Sequence, residues 1–284
     1  MAKIKTSFSG HDKFECKVDW ISKGLKAYKE DNKIFLQSNI EQSVSCLGLG
    51  INMIKSLHYW MKALGLIDKE KLTLLGELIL ENDLYLENND TLWILHWNLV
   101  KDRETATLYY LFFNQLYLHK FSKKDLFEEI LNWLEKNDIA LSPITLSADV
   151  DVLLKMYRNN KHDDINMSLL SDLNILMQHN NENYSLNINS TSKISDKVFL
   201  YILSDYIDSK YSADIDSISI DDIQRGKLSI QKSLCMSENS LFSKVHNLSN
   251  LTNNKLLFSE AAGLRQIYIS EKLNKLDLLK KIYE

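Results

Sequence analysis

One proline and eight glycines in 284 residues leave the chain short of the residues that make tight turns and end helices. Glycine supplies positive φ, and proline fixes φ and removes a backbone donor. A turn-dense β-sandwich is therefore a poor fit, and helices joined by economical turns are the expected architecture. The rest of the composition (45% hydrophobic, 25% charged, 10% aromatic) is that of a folded protein and excludes disordered, fibrous or disulfide-stapled chains. At roughly 150 residues per domain the length suits about two domains, or three small helical modules.

Charge is distributed unevenly behind a net of −4. Residues 1–67 hold 10 bases against 6 acids, 68–102 hold 3 against 8, 103–222 hold 11 against 19, and 223–284 hold 10 against 5. Two basic ends flank an acidic middle, so a local polyanion-binding face is compatible with the negative total. Cys16, Cys46 and Cys235 are widely spaced with no CxxC pair, which suits a reducing cytoplasm and carries no zinc signature. No apolar h-region or membrane-length run is present, so a soluble cytoplasmic protein is expected.

The N-terminal block has the clearest pattern. A polar helical stretch over 39–46 leads to Leu47-Gly48-Leu49-Gly50, and a helix over 51–64 follows, with Ile54, Leu57, Met61 and Leu64 as one apolar stripe. The opposite face is read as Asn52, Lys55, Ser56, Tyr59 and Lys62. After Gly65, Leu66-Ile67 and Leu72-Thr73-Leu74-Leu75-Gly76 read as two strands around a hydrophilic turn. Helix, glycine turn, helix and hairpin is the order of a winged helix-turn-helix, whose second helix would carry phosphate and base contacts.

The middle repeats the helical pattern without the positive charge. Residues 125–137 form one helix and 145–157 another, striped by Leu146, Val150, Leu153 and Leu154. Asp149 and Asp151 are read on its outward face, where carboxylates would repel phosphate, so a structural or subunit-contact role is expected there. The aromatic-rich span 91–121 reads as core, with His96 a hydrogen-bonded core histidine. A polar linker is expected near 190. Beyond it lie a helix around 198–206, a second helix N-capped by Ser237, and a hairpin over 255–269. Lys244 and Arg265 are the DNA-contact candidates of this end. The expected fold is thus mainly α with short β-hairpins. Several winged helix-turn-helix-like modules surround a helical middle, in domains 1–86, 87–190 and 191–284.

The densest polar cluster is Ser9-Gly10-His11-Asp12-Lys13-Phe14-Glu15. An imidazole beside carboxylates could hold Mg²⁺ or Mn²⁺ and activate water for phosphodiester cleavage, which makes His11 and Asp12 the catalytic candidates. The alternative is that His11 bridges an N-terminal arm to the winged helix. Asp163-Asp164 and Asp221-Asp222 are carboxylate pairs of the kind that usually stay solvated. No P-loop, HExxH, Rossmann or zinc-deaminase motif is present.

Taken in order, these segments resemble a bacterial family catalogued as a domain of unknown function. Its members occur beside PAPS-reductase-like genes and include SspB-like proteins of DNA phosphorothioation defence systems. The resemblance rests on Phe8-Ser9-Gly10-His11-Asp12-Lys13-Phe14, Leu47-Gly48-Leu49-Gly50-Ile51-Asn52-Met53, His58-Tyr59-Trp60, Leu64-Gly65-Leu66, Thr91-Leu92-Trp93-Ile94-Leu95-His96 and Asp149-Val150-Asp151. The family pattern reads Gly-His-Glu-[Ser/Thr]-Phe near its start; here Asp12 keeps the acid and Lys13 replaces the hydroxyl. The resemblance implies a DNA-binding component of an anti-phage phosphorothioation system that nicks one DNA strand. Its implied partners are double-stranded DNA, a cysteine desulfurase, a PAPS-reductase-like subunit and an ATPase. A non-catalytic recognition or scaffold subunit and a transcriptional regulator remain as alternatives.

Overall fold

A computed structural model describes residues 5–158, 167–180, 182–188, 190, 194–212, 214–261 and 263–284. The chain divides into two compact units, residues 1–112 with 116–187, and residues 113–115 with 188–284. No helix among the described residues is long and apolar enough to cross a membrane.

The first unit runs through α1 (Val18–Glu30), α2 (Ile40–Leu47), α3 (Ile51–Ala63), a minimal hairpin β1 (Ile67–Asp68) and β2 (Lys71–Leu72), then α4 (Leu74–Asn82) and α5 (Asn89–Lys101). After α6 (Thr107–Tyr110) and a π-helical turn at Leu111–Leu116 come β3 (Lys120–Ser122), α7 (Lys123–Lys136), α8 (Pro143–Tyr157), β4 (Leu176–Gln178) and β5 (Asn183–Leu186). Strands β3, β5 and β4 form an antiparallel sheet in that order. Helix α5 is the axis of this unit. It is buried without a break from Thr91 to Val100, as expected of a helix apolar on every side. The aromatic span is core, as its helical spacing predicts: Trp93, Trp97, Tyr109 and Phe112 are all but fully buried. His96 is buried with them, its Nδ1 2.8 Å from the Tyr157 hydroxyl.

The second unit is built around α9 (Asp196–Lys210), buried from Val198 to Ile207. It continues with β6 (Ser217–Ser219), α10 (Ile220–Arg225), α11 (Ile230–Ser233), α12 (Glu238–His246), α13 (Leu248–Leu251), β7 (Leu256–Ala261), β8 (Leu264–Ile269) and α14 (Lys275–Ile282). Strands β6, β8 and β7 form a second antiparallel sheet. Ser237 caps α12 by accepting from the Ser240 amide, and β7–β8 is the hairpin expected over 255–269.

One element departs from expectation. The strand expected over Leu72–Gly76 stops at its first residue, because β2 ends at Leu72 and α4 begins at Leu74. Thr73 decides this, since its hydroxyl accepts from the Gly76 amide and caps the helix. Gly76 then packs against the backbone, where a Cβ would lie 2.4 Å from the Leu66 carbonyl oxygen. Gly76→Ala should therefore destabilise the first unit by about 1–3 kcal/mol through forced backbone displacement, measurable as a lowered urea midpoint.

Candidate functional site

Helix α3 has two chemically distinct sides. Its outer side exposes Ile51, Asn52, Lys55 and Lys62, and the helix carries no carboxylate between Ile51 and Ala63. Lys55 and Lys62 form no ion pair among the described residues, so their charge faces solvent.

The neighbouring positions of the helix correct part of the sequence reading. Ser56 is fully buried, with its hydroxyl 3.4 Å from the Phe14 carbonyl, and cannot reach DNA. Tyr59 is half-buried and its hydroxyl donates to the Thr105 carbonyl at 3.1 Å. Trp60 donates from Nε1 to the Phe14 carbonyl at 3.0 Å. At 3.6 residues per turn, Tyr59 falls among Asn52, Lys55 and Lys62, while Ser56 and Trp60 lie beside that arc toward the stripe of Ile54, Leu57 and Met61, so all three owe their burial to a segment packed over the helix.

What they pack against is the turn containing Ser9-Gly10-His11-Asp12-Lys13. Gly10 lies so close to α3 that a Cβ would come within 2.5 Å of the Tyr59 ring. His11 is 3% exposed and stacks on Trp60, with ring centroids 5.6 Å apart and 10° between planes. Ser9, Asp12 and Lys13 all adopt positive φ (61°, 46° and 68°). Such geometry costs non-glycine residues about 1 kcal/mol or more each and persists only where the surroundings enforce it.

The enforcing group is Asp149 of α8. Its carboxylate accepts the Ser9 amide proton at 2.7 Å through Oδ2, and Oδ1 lies 3.5 Å from His11 Nε2. This too is a correction: Asp149, expected on the outward face, is 1% exposed. Three residues after Leu146 and four before Leu153, it falls on the apolar stripe, a signal visible in the spacing. Burial pushes Asp149 up to about 6, and the Ser9 amide offsets part of that rise. Burial pushes His11 down to about 4, against the opposing pull of a backbone hydrogen bond and of Glu15. At neutral pH the contact therefore joins a neutral imidazole to a carboxylate. Its 3.5 Å separation is too long for a strong hydrogen bond, and among the described residues His11 Nδ1 and Asp149 Oδ1 have no hydrogen-bond partner. Unsatisfied buried polar atoms and shifted pKa values mark a candidate functional site.

Asp12 stands on the same turn, its amide donating to the Ser9 carbonyl at 3.1 Å, but the carboxylate beside His11 is that of Asp149. Among the described residues, no group of three or more His, Cys, Asp or Glu side chains is arranged to hold a cation. Among the described residues, the His11 segment therefore offers a divalent ion no converging set of donors.

The C-terminal candidates are committed within their own unit. Lys244 Nζ lies 2.6 Å from Asp196 and donates to the Ile194 carbonyl at 2.7 Å. Arg265 lies 3.4 Å from Asp221 and 3.7 Å from Glu238, with its guanidinium over the Phe242 ring. Neither is a free cation. Asp222 pairs with Lys210 at 3.2 Å and accepts from the Tyr211 hydroxyl at 2.8 Å, so Asp221-Asp222 is an ion-paired edge. Asp163-Asp164 lies outside the described residues.

Two helical units, each with a small antiparallel sheet, match the fold of two solved structures, one of SspB with magnesium ion bound and one of SspB. Each superposes at a TM-score of 0.82 with 20% sequence identity, over 97% of this chain and 86% of the other. Residues 8–283 match the DUF4007 family, described as a protein of unknown function, and the chain belongs to it. No curated protein matches the sequence.

The opposed shifts of His11 and Asp149 make a pH prediction. Unfolding returns His11 toward its usual 6.5, so its burial costs stability as pH falls from about 6.5 toward 4. Unfolding returns Asp149 toward 3.8, so its burial costs stability as pH rises from about 4 to 6. In the intact pair these trends oppose each other. Relative to the unaltered chain, Asp149→Asn should be less stable at pH 4.5 than at pH 7, and His11→Ala the reverse. Each difference should be on the order of 2 kcal/mol, read from urea denaturation at both pH values.

Proposed function

We propose that the chain is a DNA-binding component of an SspB-like phosphorothioation defence system and that α3 is the element it places on duplex DNA. The observation that carries the reading is the exposed Asn52, Lys55 and Lys62 face, unpaired among the described residues and free of carboxylates. We read α2, the turn through Gly48 and Gly50, α3 and the β1–β2 hairpin as a winged helix-turn-helix with α3 as its reading helix. The SspB-like fold supports the system assignment. A cysteine desulfurase, a PAPS-reductase-like subunit and an ATPase are the partners that assignment carries with it.

Nicking is a separate activity, and the burial of His11 and Asp149 favours recognition without cutting. A phosphodiester reaches His11 only if the 9–13 turn lifts from Trp60.

Fluorescence anisotropy on duplex DNA tests the binding. Lys55→Ala with Lys62→Ala should weaken affinity and lower the slope of log K against log salt by about one for each phosphate no longer neutralised. Unchanged affinity at low salt would remove α3 from the interface. Supercoiled plasmid with Mg²⁺ or Mn²⁺ tests cutting: open circles from the unaltered chain and none from His11→Ala would establish a nickase. Persistent supercoiled DNA leaves a recognition subunit.

A further inference from the structure

We infer that Ile51 and Asn52 read an adenine–thymine pair in the major groove of DNA, a conclusion that rests on α3 being the DNA-binding element. Ile51 opens α3 and is 48% exposed, a large aliphatic side chain left in water with a basic surface beside it. Asn52 is exposed next to it, and its side-chain amide makes no hydrogen bond among the described residues. Lys55 follows Asn52 by about one turn and Lys62 by about three, on the same side of the helix.

These side chains divide by chemistry. A lysine ammonium is a point charge that binds phosphate and distinguishes bases poorly. An asparagine amide offers one donor and one acceptor side by side, which matches N7 and the N6 amino group of adenine. The paired thymine presents its C5 methyl on the same groove edge, where an apolar side chain such as Ile51 can cover it. Base discrimination is confined to the first turn, because the next residues of this face are held by the protein itself. His58 stacks on Phe35, with ring centroids 4.9 Å apart, and the Tyr59 hydroxyl is held by the Thr105 carbonyl. Double-stranded RNA is not the matching ligand, since its deep, narrow major groove does not admit side chains to the base edges.

The test begins with selection of duplexes from a randomised pool by the full chain, followed by anisotropy on the selected site. Replacing its fixed adenine by 7-deazaadenine removes N7, and replacing thymine by uracil removes the methyl. The 7-deaza site should bind the unaltered chain about tenfold more weakly and leave Asn52→Ala unaffected. The uracil site should weaken the unaltered chain but not Ile51→Ala. Both positions are exposed, and unchanged thermal melting verifies that the variants fold. Selection of the same site by Asn52→Ala, with the 7-deaza effect intact, would overturn the assignment. Sequence-indifferent binding that still falls with Lys55→Ala would also overturn it while leaving the DNA-binding reading in place. No binding to any duplex at low salt would defeat that reading itself.

Discussion

The first unit depends on a buried carboxylate. Asp149 brings a negative group into a helix face that is otherwise apolar, and water cannot solvate it there. It is compensated by the Ser9 amide and neighboured by His11. Breaking such an arrangement on one side is costlier than never having built it, because the remaining charge stays buried. The strained turn from Ser9 to Lys13 follows from it. The chain accepts positive φ at three non-glycine positions so that an amide and an imidazole can meet one carboxylate.

That turn in turn fixes α3. Trp60 is held by the Phe14 carbonyl and the His11 ring, and Tyr59 by Gly10 and Thr105. With these positions covered, Asn52, Lys55 and Lys62 remain exposed around them. The anchor and the proposed DNA face adjoin each other on the same helix, Tyr59 lying between Asn52 and Lys55 around its circumference. A change at His11 or Asp149 therefore reaches the basic face through the orientation of α3, without direct contact.

Charge in the second unit has a different use. Lys244, Lys255, Arg265 and Lys275 each sit against a carboxylate, Asp196, Glu271, Asp221 and Asp205 respectively. The basic excess of residues 223–284 is real as a sum, but much of it goes into pairs that fasten helices and strands to one another. A count of charges along a chain cannot separate a free lysine from a paired one, because partners distant in sequence meet only on folding.

Helices striped at 3.6-residue spacing, the buried aromatic span, the Ser237 cap and the C-terminal hairpin are set by local periodicity and hydrogen bonding, and are legible in the sequence. So are the exposure of Asn52, Lys55 and Lys62 and the prominence of His11. Thr73 turns an apparent strand into a helix because a single hydroxyl supplies a cap. Only the tertiary structure decides which carboxylate stands beside His11, since Asp12 is its neighbour in sequence and Asp149 its neighbour in space. It also decides that Ser56 faces inward and that Lys244 and Arg265 are neutralised. Which groups meet and which charges are paired depends on what packs from far along the chain, and period and propensity carry no trace of that.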